Sequence, residues 1–384
     1  MTGYAQIYLD LLREANQQGR LQVTAAAVIP SQQQLEAVGE LQEWGAKIYP
    51  SYEEMLEKEH GNLDLCLIPT GIQWHARMTI AALKAGAHVL VEKPLAGSKE
   101  DAQAILDAEK KYQRWVAIGF QDIYATEARW LKSQLVDGSI GRLKKVRMIG
   151  IWPRPRAYFE RNSWAGKLYA DGAAAMDSPL NNAFAHFVNL SLYFAGRKAE
   201  SAASVEISQA DLLRAHDIES FDTAVVQARS DDNVRFWFGV THSSRQLREP
   251  EIHIYGENGY AQWFHDRQYV LAPNGKSEIR RDGPDYAKTR QQMFDAVLAR
   301  LQDGVTPICH ASTALPHTHL ISDLHQNFQI HTFDEEEISH EVVNPEQGEI
   351  PVVKDLDDVL DRAMKQDAAL LSIRPYKLTE LATS

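Results

Sequence analysis

The chain has 384 residues, a formal net charge of −12, 44% apolar and 24% charged residues, and two cysteines, Cys66 and Cys309. That length favours two domains, the composition is that of an ordinary globular protein, and no apolar run approaches the roughly 20 residues that would span a bilayer, which excludes membrane insertion. An acidic balance without clustered Lys and Arg argues against a nucleic-acid partner and for small-molecule ligands; two cysteines build neither a disulfide framework nor a Cys-based metal site, and fit a reducing cytoplasm.

In chain order, residues 5–16 read as a helix, 21–29 as a strand, 32–44 as a helix and 47–49 as a short strand. A capping box at Ser51 and Glu54 opens a helix, 63–68 is a buried strand, and a helix over 73–85 closes at Gly86. The apolar strand 87–91 runs directly into Glu92-Lys93-Pro94; a helix capped by Ser98 and Asp101 and a strand over 115–120 follow. Strands alternating with helices predict a parallel, doubly wound α/β sheet, whose strand ends bind ligands, so Lys93 is expected at the mouth of a crevice. Beyond Gln121 the pattern changes to period-two segments at 144–152, 222–229, 234–241, 251–255 and 260–264, with helices near 291–301 and 315–329. This predicts two domains, 1–121 and 122–384, the second α+β with an open, mostly antiparallel sheet. The acidic run 335–337 reads as a solvated turn, and disorder is expected in about the last ten residues.

A dinucleotide-binding domain starts with an apolar strand feeding a glycine loop and a helix whose N-terminus takes the pyrophosphate. This chain opens at the loop. Gly3, Tyr4 and Ala5, followed by Ile7, Leu9, Leu11 and Leu12, read as the end of that loop and its helix, which makes them candidate cofactor contacts; the other reading is that Gly3 is a flexible terminal residue. The first strand normally lies at the centre of the sheet, so two strands are expected to lack a neighbour, and a truncated or misassigned start is the favoured account. The start also lacks the basic and apolar regions of a secretory signal. The next strand ends in Pro30-Ser31-Gln32 with no carboxylate for the adenosine ribose and no Arg for a 2′-phosphate, leaving Ser31 as the candidate there and NAD versus NADP open.

Val91-Glu-Lys-Pro94, Pro69-Thr70 with His75, and Gly119-Phe-Gln121 together resemble the glucose-fructose oxidoreductase, inositol dehydrogenase and MocA (Gfo/Idh/MocA) family over nearly the whole chain. The resemblance implies an N-terminal Rossmann domain binding NAD or NADP and a C-terminal domain holding a sugar or polyol. It implies that Lys93, often before a cis proline in the family, faces both nicotinamide and substrate, and that Thr70, His75, Glu92 and Gln121 lie by the cofactor. His75 has a second reading as a solvated surface residue.

Ser178 as N-cap and Pro179 as first helical residue predict a helix from Pro179 toward Gly196, with Asn182, His186 and Asn189 on one face. The family places an Asp four residues before a catalytic His on this helix; here that position is Asn182, so Asp177 is the candidate to supply the carboxylate, its other role being a helix N-terminal charge. The segment holding Arg154, Tyr158, Arg161, Asn162 and Trp164 combines rings and donors as a polyhydroxylated ligand requires, or is a basic loop packing its tryptophans on the sheet. His310, His317 and His319 complete no metal-ligand pattern. The expected activity is NAD(P)-dependent hydride transfer at a secondary alcohol of a sugar, sugar acid or polyol, with Lys93, His186, Asp177 and Asn182 catalytic. The alternatives are an NAD-dependent glycosidase or lyase using transient oxidation, and a catalytically silent sugar or nucleotide sensor. A homo-oligomer, dimer or tetramer, is expected to cover the open sheet.

Overall fold

The computed structural model describes residues 4–344 and 346–379, so Gly3 lies outside the described residues, as does the Tyr4 side chain. In the N-terminal region the elements are α1 (Tyr4–Gln17), β1 (Ala25–Ala27), α2 (Glu36–Glu43), β2 (Lys47–Tyr49), α3 (Tyr52–Lys58), β3 (Leu65–Ile68), α4 (His75–Lys84), β4 (His88–Val91), α5 (Lys99–Tyr112) and β5 (Val116–Ile118). The expected caps form: Ser51 Oγ accepts from Glu54 N at 3.2 Å and Ser98 Oγ from Asp101 N at 3.1 Å, satisfying N–H groups that the first helical turn leaves free. Gly86 ends α4 at φ +95°, a conformation a side chain would strain. The expected helix over 32–44 is shorter: a 3₁₀ turn at Pro30–Gln32 precedes α2, because the proline fixes a tight turn that the helix does not continue.

The strands are parallel, as predicted, but they lie in two sheets. β1 pairs with β2, and β3, β4 and β5 form a separate sheet in that order. β1 and β3, the two strands expected to lack a neighbour, face a common cavity of 2060 Å³ lined by 25–28 and 63–68. Each therefore carries an edge of unpaired backbone groups. Amides of β1 and β3 are expected to exchange with solvent at least tenfold faster than those of β4, which is paired on both sides; hydrogen-exchange mass spectrometry reads the difference.

The remaining elements are α6 (Thr126–Val136), β6 (Leu143–Ile151), α7 (Arg156–Glu160), β7 (Tyr169–Ala170), β8 (Ala173–Ala174), α8 (Ala185–Ala195), β9 (Val205–Arg214), β10 (Thr223–Ser230), β11 (Arg235–Thr241), β12 (Arg248–Gly256), β13 (Gly259–Phe264), β14 (Gln268–Pro273) and β15 (Ile279–Asp282). Then come α9 (Tyr286–Asp303), α10 (Ala311–Asn327), β16 (Ile330–Phe333), β17 (Ile338–Asn344), β18 (Gly348–Val353), α11 (Leu356–Gln366), α12 (Leu370–Ile373) and β19 (Leu378–Thr379). Ten strands form one open sheet in the order β15-β14-β13-β12-β6-β11-β10-β9-β16-β19, antiparallel except for β6–β11 and β9–β16. Phe184, Phe187, Leu190 and Phe194 join the buried core on one side, continuous with the core around β4 and β5. Ile118 N donates to Cys309 O at 2.8 Å, tying the end of the first region to the approach of α10.

On the other face, Ile149, Leu213, Val225 and Trp237 pack against Leu356, Val359, Leu360 and Ala363 of α11. The chain's own helix thus covers apolar surface on this face of the sheet. The 335–337 run is a 3₁₀ turn in which Glu337 pairs with Arg374 rather than lying free. Of the C-terminal ten residues expected to be disordered, Leu378–Thr379 pair with β16, and 380–384 lie outside the described residues. Among the described residues no helix is long and apolar enough to cross a membrane.

Candidate active site

The β4 strand ends at Val91 and is followed directly by Glu92 and Lys93, with Lys93-Pro94 in the cis form. Both side chains are buried. Glu92 accepts from Tyr8 Oη at 2.9 Å and from Lys93 N at 3.1 Å, so α1 and β4 are joined at this point. Gly119 allows the close approach, since a Cβ there would stand 3.2 Å from Glu92 Oε1 and 3.3 Å from Lys93 N. Lys93 Nζ donates to both the backbone oxygen and Oδ1 of Asn182, each at 3.0 Å. Lys93 therefore stands behind Asn182, which lines the cavity, rather than free at the crevice mouth.

Asn182 does not lie on a helix with His186. Residues 179–184 form irregular turns and α8 begins at Ala185; Ser178 Oγ finds no partner, so the expected N-cap does not form. Phe184 N bonds instead to Pro179 O and Asn182 N to Ser178 O, a winding that turns the Asn182 side chain between two neighbours. Asn182 Nδ2 donates to Asp177 Oδ1 at 2.8 Å while its Oδ1 accepts from Lys93. The second Asp177 oxygen accepts from Gly166 N at 2.6 Å. Burial raises the Asp177 carboxyl above its ordinary value, opposed by the Gly166 N–H and the nearby Arg161.

The carboxylate nearest His186 is that of Asp122, not Asp177. Asp122 Oδ2 lies 3.4 Å from His186 Nδ1, close enough to interact electrostatically but not aligned as a hydrogen bond, and both ring nitrogens lack a hydrogen-bond partner among the described residues. Burial lowers the His186 pKa below 6.5, opposed by Asp122 and reinforced by the Lys93 charge, so the ring is a neutral base at pH 7. His317 stands nearby, its Nε2 at 3.0 Å from Leu180 O, and burial takes it down to about 4.

His75 is fully buried, with Nδ1 2.7 Å from Pro94 O and Nε2 3.2 Å from Thr70 O; burial lowers it to about 4. It bridges the two loops and is not the solvated surface residue of its second reading. Thr70 lines the cavity with its hydroxyl unpartnered, as does Ala5 at the start of α1; Gln121 is buried, its Oε1 accepting from Arg290 at 3.1 Å and its Nε2 free of partners among the described residues. Ser31 is exposed and is not part of the cavity wall. Arg154, Tyr158, Arg161, Asn162 and Trp164 all line the cavity together with Asn182 and His186. Asn162 Oδ1 accepts from the N–H groups of Trp164 and Ala165, so it shapes the loop.

Four further residues take part without a signal taken up from the sequence. Asp122 directly follows the Gly119-Phe-Gln121 landmark, and its position at a strand end was the available signal. Asp171 binds Gln73 Nε2 at 3.0 Å and Trp74 Nε1 at 3.1 Å, from a turn with no pattern of its own. His216 and Asp222 sit behind Arg154: His216 Nδ1 lies 2.8 Å from Asp222 Oδ2 and Nε2 lies 2.9 Å from Arg154 O.

A parallel-sheet domain with its ligand cavity at the strand ends, joined to a large open sheet, is the architecture of a dinucleotide-binding oxidoreductase with a separate substrate domain. Residues 1–120 match the oxidoreductase family with an NAD-binding Rossmann fold, and 128–262 match the Gfo/Idh/MocA C-terminal domain; the chain belongs to the Gfo/Idh/MocA family. It is 28% identical over 177 residues to an inositol 2-dehydrogenase of Azotobacter vinelandii, covering 44% of this chain and 49% of that protein. A myo-inositol 2-dehydrogenase of Thermotoga maritima is 25% identical over 219 residues, 56% of this chain and 59% of that protein. The chain thus matches about half the length of these relatives. In fold it is similar to the WlbA dehydrogenase of Bordetella pertussis in complex with NADH and UDP-GlcNAcA (TM-score 0.69, 22% identity, 84% of this chain and 92% of that one). A 3-ketoreductase from Actinomadura kijaniata with NADP and TDP-benzene is also similar (TM-score 0.64, 16% identity, 85% and 94%).

Proposed function

We propose that this protein is an NAD(P)-dependent oxidoreductase that moves a hydride between nicotinamide and a secondary alcohol carbon of a sugar, sugar acid or polyol. The observation that carries the reading is the Lys93–Asn182–Asp177 hydrogen-bond chain, whose middle member Asn182 lines one cavity with His186. The residues present fit a dinucleotide: Thr70 Oγ1 and Gln121 Nε2 are buried polar atoms without partners among the described residues, and Ala5 and Thr70 line the cavity. When bound, NAD(P) supplies the hydride acceptor at nicotinamide C4. Lys93 donates to the reacting hydroxyl and stabilises the alkoxide charge as it develops. His186 takes the hydroxyl proton in oxidation and returns it in reduction. Asn182 accepts from the ammonium through Oδ1 and donates from Nδ2 to Asp177, a bridge that an amide can make and an ionised carboxylate, which only accepts, cannot.

The test is a titration of NAD and NADP followed by neutral and acidic sugars and polyols, read by ligand binding and by formation of reduced nicotinamide. Net reduction supports the dehydrogenase; bond cleavage without net reduction supports the lyase, and ligand binding without either supports the sensor. If no dinucleotide binds to the folded protein, the reading fails.

A pH profile gives a further expected result. Because the neutral ring is the base, kcat/KM for oxidation should hold to below pH 6.5 and fall as pH drops through the lowered His186 pKa. Asp122 opposes that lowering, so Asp122→Asn should move the acid limb to still lower pH; a limb that moves upward or stays in place contradicts the pairing.

A further inference from the structure

The segment after β6 builds a ladder of alternating rings and guanidinium groups. Arg154 lies 5.4 Å from the Trp152 ring and 4.9 Å from the Tyr158 ring; Arg161 lies 3.7 Å from Tyr158 on and 5.6 Å from Trp164. All five residues line the cavity that Asn182 and His186 line.

Neither arginine makes an ion pair among the described residues. Among the described residues Arg154 Nε is buried without a hydrogen-bond partner, and Arg161 donates to the backbone oxygen of Tyr158 and acts on Asp177 by charge alone. Nearby carboxylates are otherwise engaged: Asp171 with Gln73 and Trp74, and Asp177 with Gly166 and Asn182. Asp122 and Asp266 stand beside His186 and His265, and Glu249 is held by Trp152 Nε1 and His265.

Arg154 is also held with unusual care. Its N–H donates to His242 O at 3.0 Å, and its carbonyl accepts from His216, which is anchored by the fully buried Asp222. The Arg154 backbone is thus fixed at both its polar groups, and its guanidinium presents a buried, unmet Nε donor that an oxyanion would satisfy.

Resting on the dehydrogenase reading, we propose that the substrate carries an oxyanion, a carboxylate or a phosphate, and that Arg154 with Arg161 binds it, so a neutral inositol or sugar is not the preferred substrate. The test compares matched pairs, a hexose with its uronate, a polyol with its aldonate, and a sugar with its phosphate, each with NAD and NADP. The expected kcat/KM for one charged class exceeds that of its neutral parent by about 100-fold, as two charge-assisted contacts allow. The uronate and phosphate arms distinguish the source of the oxyanion.

Arg154→Gln should collapse the charged-to-neutral ratio by about 30-fold, with Arg154→Lys restoring part of it through charge without the fork. Arg161→Gln, at an exposed position, should lower the ratio without disturbing the fold. Reduction of NAD(P) by neutral substrates at least as efficient as by charged ones, with the ratio unmoved in both variants, overturns the oxyanion but leaves the dehydrogenase standing. If nothing is reduced, thermal shifts by uronate and sugar phosphate decide. A shift lost in Arg161→Gln supports the oxyanion site, and equal or absent shifts for charged and neutral ligands overturn it.

Discussion

Lys93→Ala is expected to lower turnover by roughly 10²–10³-fold or more while NAD(P) affinity stays within a few-fold. The lysine sits where β4 ends, behind the Asn182 that lines the cavity with His186, and its ammonium is oriented by two oxygens of that residue. Preorganisation of this kind lets a charge act on an alkoxide without reorienting during the reaction. Uniform binding residues shift KM alone, whereas a group that acts on developing charge shifts kcat. Because Lys93 is buried, its loss also leaves Asn182 oxygens without a donor, so Lys93→Met, which keeps the stem, is the companion variant. Single-turnover reduction of bound cofactor, with thermal unfolding alongside, separates chemistry from folding. Retention of most activity in either folded variant refutes the assignment.

The legible parts of this molecule were those governed by local rules. Ser51, Ser98 and Gly86 mark helix ends through bonds within four residues, and the structure forms each one. The alternation of strands and helices predicts parallel pairing, and it is parallel in both β1–β2 and β3–β4–β5. The Pro179 helix failed because a local N-cap signal was overridden: Asn182 is committed to Lys93, 89 residues away, and a regular helical turn is not formed there. The Asp122 partner of His186 and the His216–Asp222 pair behind Arg154 also depend on contacts between distant segments or on loop turns that carry no periodicity. The α11 helix on the far face has the same character, since its amphipathic pattern says that a face is buried but not against which sheet.

The largest expected loss of stability is at Asp222. One of its oxygens accepts from Ala215 N at 2.8 Å, His216 N at 2.7 Å and His216 Nδ1 at 2.8 Å, and the other from Thr223 Oγ1 at 3.0 Å. Burial by itself raises such a carboxyl, yet the His216 hydrogen bond and charge and the two backbone N–H groups outweigh it and hold Asp222 below its ordinary value. Asp222→Ala leaves the imidazole and two N–H groups buried without an acceptor, a loss of about 3–5 kcal/mol, measurable as a lower denaturant midpoint at unchanged slope. Asp222→Asn keeps an acceptor of the same shape and should cost less. A depressed carboxyl contributes stability above its unfolded pKa and loses it as pH falls through the folded value, so part of the acid limb of the native stability curve should vanish in Asp222→Asn. The same variants loosen the His216 contact with Arg154 O, so they are expected to raise KM while the Lys93 variants lower kcat. A stable Asp222→Ala protein with unchanged KM would separate this cluster from both the core and the substrate loop.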